Sequence, residues 1–511
     1  MSASLAIVVL VTAPLMAALL AVVAPRRGAL IALLAVTGVA GALGVLLPAV
    51  VQQGPLTLNI GGWRTPLGIA LRADGLAMAF MTMTALVMAA VLVSARPRFG
   101  ARRDMPETRS QWAFWPLALL LWSALNVVFL SRDLFNLYVA LELLTVSAVA
   151  LVAIEGKAAS LAAALRYLMF ALLGSLAYLL GAALMYAGHG TLDLTLLAGQ
   201  GIGAGASGGG VWHEALRDGA AADLIAVALM TAGLAVKTAL FPFHVWLPPA
   251  HAGAPAPASA MLSALVPKAS FVILIRIWFE AAPGLTSPAL LVMLGALGSM
   301  AVLYGSVLAL RQSRLKLIIA YSTVAQIGYL FLVFPLAGGD SYAQPWAAGA
   351  WTGAMFQALS HGLAKAAMFL CAGVWIMAVG HDRLDGLRGL ASATPMTAFA
   401  FALAAVALVG LPPSGGFTAK YLMLTSAFAS GQFVWAAVLL IGGLLSAAYL
   451  YRPLVLTFAQ SDGRSFKPVP SVLQAVPLIL ALAAILLGLA SQPPFNLIQI
   501  GRPVSAVVGL E

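Results

Sequence analysis

The chain has 511 residues, of which 62% are hydrophobic and 8% charged, and its formal net charge is +11. Soluble domains carry about 25% charged residues, so this composition excludes a string of soluble domains and makes lipid the main solvent. Long, nearly continuous apolar runs exclude a β-barrel, and in such a chain the Lys/Arg excess reads as loop charge rather than a nucleic-acid surface.

Taken in order, the sequence predicts apolar segments at 2–24, 28–51, 73–95, 111–130, 134–154, 160–187, 222–241, 256–279, 286–310, 315–337, 346–379, 395–429, 433–458 and 471–491. Most reach the roughly 20 residues that span a bilayer, which predicts an all-α polytopic membrane protein of about fourteen transmembrane helices. The first segment has no basic residue ahead of it and Arg26 and Arg27 behind it, so it reads as a membrane helix rather than a secretory signal. The loops test the count. With the N-terminus outside, the cytoplasmic loops receive Arg26, Arg27, Arg96, Arg98, Arg102, Arg103, Arg109, Lys157, Arg311, Arg314, Lys316, Arg383, Arg388, Arg464 and Lys467. The opposite loops, including the Gly-rich stretch 199–210, are poor in Lys and Arg. This asymmetry places both termini on the non-cytoplasmic side of a bacterial-type inner membrane.

The single cysteine, Cys371, excludes an intramolecular disulfide or an iron–sulfur site within the chain. No GxxxxGK[ST] loop, HExxH or dinucleotide fingerprint is present, so no cofactor, no metal and no redox site is expected here.

Few ionisable residues fall inside the predicted spans. They are Glu142, Lys237, Lys268, His361, Lys365 and Lys420, with Arg166 and Arg276 nearer helix ends. A charge at the bilayer centre costs at least about 2.5 kcal/mol, so four lysines and a glutamate are hard to justify as packing. Lysine suits proton relay because burial disfavours its charged form while a neighbouring carboxylate restores it. A Glu142–Lys237 pair would act as a switch, and His361 and Lys365 share one helix face. Simpler readings exist: snorkelling for Lys420, snorkelling or structural pairing for Arg166 and Arg276, and a core histidine for His361. Ser147, Thr238, Ser322, Thr323, Gln326, Gln357 and Ser360 could hold relay waters or merely pack helices. Two spans are broken, one at Pro242 after Lys237, the other at Pro412, Pro413, Gly415 and Gly416 before Lys420. Paired breaks of this kind point to repeat-built transporters with ion sites at the breaks.

The run Phe241-Pro242-Phe243-His244-Val245-Trp246-Leu247-Pro248 with Ala250-His251-Ala252-Gly253-Ala254-Pro255-Ala256-Pro257 resembles the strongest motif of the antiporter-like subunits of respiratory complex I. That family includes the large Mrp cation/proton antiporter subunits and the membrane subunits of energy-converting hydrogenases. The blocks Lys316 to Tyr329, His361 to Ala366 and Gly410 to Phe417 agree, and the resemblance covers about 110–460. It implies two inverted five-helix repeats, each with a broken helix. These would divide the chain into helices 1–3 at 1–110, a first repeat at 111–279, a second at 286–458 and a last helix with tail at 459–511. It implies that Glu142 pairs with Lys237, that Lys268 is the central relay, that His361 and Lys365 lead to the second half-channel, and that Lys420 ends it. His244, Ser322, Thr323 and Gln326 would be supporting polar groups.

The chain stops soon after the fourteenth segment, as expected of a medium-sized subunit without a lateral helix. The run Ala264 to Phe271 looks most like Mrp D-type and hydrogenase-type chains. The expected function is therefore proton translocation in a multi-subunit cation/proton antiporter, beside homologous and small membrane subunits, with the exchanged cation (Na+ being one candidate) left open. The alternatives are a proton-pumping subunit of a complex I-type or hydrogenase-type enzyme, a stand-alone secondary transporter, and a structural subunit that no longer conducts.

Overall fold

The structure is a computed structural model that describes residues 1–101, 106–200, 220–285, 287–339, 344–461, 463 and 465–502. Arg102, Arg103, Arg464 and residues 201–210 of the Gly-rich stretch, which bear on the sidedness of the loops, lie outside the described residues.

The helices follow the hydropathy. The principal ones are α1 (Ala3–Val23), α2 (Gly28–Gln53), α3 (Gly75–Phe99), α4 (Arg109–Leu130), α5 (Leu134–Ala153), α6 (Ala158–His189), α7 (Ala220–Thr238), α8 (Leu247–Gly253), α9 (Ala256–Ala264), α10 (Val266–Arg276), α11 (Pro288–Arg311), α12 (Leu315–Phe331), α13 (Pro345–Val379), α14 (Pro395–Val409), α15 (Gly415–Ala429), α16 (Phe433–Phe458), α17 (Ser471–Leu489) and α18 (Gln492–Gln499). Between α2 and α3 a short antiparallel hairpin pairs β1 (Leu56–Asn59) with β2 (Ala70–Ala73), Leu56 opposite Ala73. Thirteen helical stretches among the described residues are long and apolar enough to cross a membrane. The predicted segment 395–429 is instead the short pair α14 and α15, 15 residues each, on either side of the break.

Helices suit lipid because they satisfy their own backbone groups, leaving only the ends to be capped. Ser2, Asp74, Asp133, Ser287 and Ser414 accept from first-turn amides, and Thr108 forms a capping box with Gln111. On α6, Leu161, Leu165, Met169, Leu173, Leu176 and Leu180 are exposed at steps of three and four, the lipid-facing stripe of a peripheral helix. Its other face approaches α7 closely. A Cβ on Gly174 would lie 2.7 Å from the Gly233 carbonyl oxygen, and Gly298 on α11 meets the Gly328 carbonyl at 2.6 Å in the same way.

The centre belongs to 256–281, where every residue of the most apolar window is buried. The sequence predicts one helix here; the structure has α9, a discontinuity at Leu265, then α10 and a π turn over Ile277–Ala281. Pro267 explains the first break. It has no N–H to return to the carbonyl four residues back, that of Ser263, and its ring crowds that position. The Ser263 carbonyl is left without its helical partner.

Candidate functional site

The three breaks place three lysines. Helix α7 ends just after Lys237, where Ala239 takes a positive φ of 60° and the chain continues through Pro242 into a 3-10 turn over Phe243–Trp246. The indole of Trp246 donates to the Val236 carbonyl at 2.9 Å, satisfying one group released by the break. Lys237 Nζ lies 3.1 Å from Glu142 Oε1 on α5 and donates to Thr145 Oγ1 at 2.9 Å, while Ser175 of α6 donates to the same carboxylate oxygen. Lys237 is buried and Glu142 is half-buried. A cavity of about 10 Å³, room for about one water, lies among Lys237, Thr145, Tyr167 and Ser270. Ser270 in turn is hydrogen-bonded to Thr238 at 2.9 Å.

Lys268, fully buried, donates to the Ser263 carbonyl at 2.7 Å, the group that Pro267 leaves free. Ser263 Oγ and Thr323 Oγ1 share a hydrogen bond of 2.8 Å that joins α9 to α12. On the same helix, Ser322 accepts from Lys365 Nζ, which also donates to the Ile319 carbonyl at 3.0 Å. One turn before Lys365 on α13, His361 is buried with neither ring nitrogen hydrogen-bonded within the chain, in electrostatic range of Lys268, Lys365 and Lys420. Gln357 donates to Gln326 at 2.7 Å, and Gln326 donates to the Leu408 carbonyl at 3.0 Å and to Ser446 at 3.2 Å.

Lys420 completes the series. Helix α14 ends at Gly410, φ 85°, before Pro412 and Pro413, and Lys420 Nζ donates to the Leu408 carbonyl at 3.1 Å and the Val409 carbonyl at 2.9 Å. These are last-turn carbonyls of a helix, at the negative end of its dipole. The exposure that a snorkelling reading of Lys420 would require is absent: the side chain is buried against this break. Lys268, Lys365 and Lys420 therefore hold backbone carbonyls or a hydroxyl, and Glu142 is the only carboxylate hydrogen-bonded to a lysine of this line among the described residues. His244 packs among aromatic rings, 5.6 Å from that of Phe241 and 5.2 Å from that of Tyr304.

One expectation is corrected. Lys316, counted from the sequence as a loop cation, is buried in the first turn of α12 and donates to the carbonyls of Ala252 and Ala254 at the end of α8. It is drawn inward because those last-turn carbonyls have no amide partner. Lys316 lines a cavity of about 720 Å³ with Arg98, Glu155, Lys157, Arg166, Arg314 and Asp382, at the helix ends that carry the excess of basic residues. Behind it sits His251, buried, both ring nitrogens without a hydrogen bond, stacked on Phe369 at 4.7 Å and in range of Lys316, Lys365 and Lys268. His251 stands within a sequence motif that gave it no role of its own. The depth of a residue one position inside a helix start is not readable from hydropathy.

A second cluster has no sequence signal beyond Arg276 itself. At the other end of the central segment, fully buried Arg276 donates to both oxygens of Asp74, at 2.9 and 3.2 Å, to Glu280 and to the Phe129 carbonyl at 3.1 Å. Arg132 pairs with Glu280 and lies 3.8 Å from Asp74. Of the two readings open for Arg276, structural pairing is what the structure has; Arg166 is exposed.

A bundle of broken membrane helices around a line of buried lysines defines a polytopic ion-translocating membrane subunit. The chain belongs to the family of NADH:quinone oxidoreductase/Mrp antiporter transmembrane proteins, which it matches over residues 131–446. It is 34% identical over 477 residues to the N subunit of the NADH-quinone oxidoreductase of Desulforudis audaxviator, covering 90% of this chain and 89% of that one. It is 30% identical over 455 residues to the D subunit of the Na(+)/H(+) antiporter of Alkalihalophilus pseudofirmus, covering 88% and 85%. Among solved structures, a chain of the Mrp complex of Dietzia sp. superposes with a TM-score of 0.84 at 25% identity, covering 99% of this chain and 98% of that chain.

Proposed function

We propose that this chain is the proton-translocating subunit of a multi-subunit cation/proton antiporter of the Mrp kind, in the position of its D-type component. The observation that carries this reading is the line of buried groups from Glu142–Lys237 through Ser270, Lys268, Ser263–Thr323 and Ser322–Lys365 to His361 and Lys420, with a single carboxylate bonded to its lysines. Such a line can pass protons because Lys268, Lys365 and Lys420 are held by neutral acceptors that cost little to give up when the proton leaves, while Glu142 supports the charged form of Lys237. Residues 111–279 and 286–458 would act as two half-channels, each ending at its broken helix, flanked by 1–110 and 459–511. The 720 Å³ cavity with Lys316 at its wall and His251 behind it would be the cytoplasmic mouth, with both termini on the opposite side of a bacterial inner membrane.

The proton-pumping subunit of a complex I-type enzyme is the second reading, favoured by the 34% identity to an N subunit of such an enzyme. Mass spectrometry of what co-purifies in mild detergent separates the two. Small membrane subunits and a larger homologue with no redox protein support the antiporter; flavin or iron–sulfur subunits overturn it in favour of the pump arm.

Glu142→Gln removes the charge that supports protonated Lys237 across 3.1 Å. Transport is expected to slow and its pH profile to move to lower pH, because the ammonium loses its counter-charge. An unchanged profile in proteoliposomes would show that the pair does not couple.

Lys316→Met tests the mouth. It keeps an unbranched stem, one atom shorter, and removes the charge, and slower proton uptake from the cavity side is expected. Uptake at the parent rate would assign Lys316 to helix capping alone.

A further inference from the structure

Lys237 and Lys420 sit at corresponding breaks yet are held differently. Lys237 has Glu142 beside it; Lys420 has no carboxylate partner among the described residues. In that place lies an aromatic face. Lys420 Nζ is 4.4 Å from the ring centroid of Tyr329 on α12. Tyr329 is fully buried, and the fold makes room for it in two ways. A Cβ at Gly442 of α16 would collide with the Tyr329 hydroxyl, so glycine there lets the ring lie against the bundle. A Cβ at Gly410 would come within 2.7 Å of Lys420 Cδ, so glycine there lets the lysine stem pass beneath the break.

The other titratable groups that face Lys420 are few. His361 on α13 is in electrostatic range, and Tyr449 on α16 lies behind Tyr329 with its hydroxyl donated to Ser446 at 3.0 Å. Helices α14 and α17 carry no ionisable side chain. The favourable partners of the Lys420 ammonium are thus two helix-end carbonyls and one ring. A desolvated cation over an aromatic face gains about 2 kcal/mol. That gain belongs to the protonated state alone, so the ring acts on the very equilibrium a terminal proton carrier uses.

We propose that Tyr329 is the positioning residue for Lys420, its ring face supporting the charged amine as Glu142 supports Lys237. The assignment rests on the proton-transport reading and adds to it a residue of the second half-channel. The hydroxyl is not the working part, and Gly442 is required so that the ring can occupy its place.

The test uses the intact complex in proteoliposomes, with proton flux recorded against pH for Lys420→Ala and for a series at position 329. Flux at the parent level in Lys420→Ala would overturn the transport reading itself. With Lys420→Ala impaired, Tyr329→Phe is expected to keep the parent profile. Replacing that phenylalanine by increasingly fluorinated phenylalanines, which keep the shape and drain the ring face, is expected to move the profile stepwise to lower pH. The full displacement, shared by Tyr329→Leu, is about 1.5 pH units, the roughly 2 kcal/mol of the ring converted at about 1.36 kcal/mol per unit. Gly442→Ala is expected to shift it in the same direction. A fluorination series with no graded shift, or loss of transport in Tyr329→Phe, overturns the proposal; the fluorinated residues answer the question even if Tyr329→Leu fails to assemble.

Discussion

Lys237→Ala is expected to abolish proton transport while the chain still folds and assembles with its partners. Two features separate the functional effect from a structural one. Glu142, left without its lysine, is half-buried with 24% of its side chain exposed, so hydration can meet its charge at modest cost. It also keeps the Ser175 hydrogen bond. The break after α7 does not rest on the amine, because Trp246 and the backbone bonds of Ala239 and Leu240 hold it. The relay has no substitute, since Thr145 and Ser270 border the water-sized cavity but neither ionises near neutral pH. Proton flux in proteoliposomes and subunit content after purification are the paired measurements. Normal flux with Lys237 gone would remove the first half-channel from the transport path.

The second large effect lies outside the pathway. Arg276→Met is expected to destabilise the chain by about 3–5 kcal/mol, because it takes the nearest cation from the buried Asp74 carboxylate. Asp74 is buried and caps α3 through the amide of Ala77 at 2.9 Å, and Arg276 supplies its nearest cation; Arg132 lies farther away at 3.8 Å. Burial pushes the Asp74 carboxyl up, and the adjacent Arg276 and Arg132 outweigh this, holding it below the ordinary carboxylate range. The stabilisation this represents is therefore full above the unfolded value near 3.8 and lost as pH falls through the lower folded value. Thermal unfolding in detergent measures the effect. Asp74→Asn added to Arg276→Met is expected to recover part of the loss, and a single variant as stable as the parent would show that Arg132 suffices.

The span positions were legible because lipid demands long apolar runs, and those runs bound the helices to within a few residues. The buried lysines were legible for the complementary reason: Lys268 and Lys365 stand out in segments where charge is costly, and the structure buries both. Three features were not. Lys316 lies one residue inside a helix start, where the sequence does not distinguish a buried amine from a loop cation. The discontinuity at Leu265 was hidden because Pro267 near a helix start is ordinary, and only the fold shows that the freed Ser263 carbonyl is what Lys268 holds. The cluster of Asp74, Arg132, Arg276 and Glu280 rests on the Asp74–Arg276 pair, 202 positions apart, a pairing that no local pattern announces. Tyr329 belongs with these, since an aromatic in a membrane helix reads as packing until a lysine 91 positions later is found over its face.

Exchange of protons for a cation is tested most directly by imposing a sodium gradient on the purified assembly in liposomes and following the internal pH. The expected result is proton movement opposite to sodium that disappears in Lys237→Ala. Internal pH that stays constant under the sodium gradient, and responds only when a quinone and a reductant are supplied, would contradict the exchange and make the chain the pump arm of a redox enzyme.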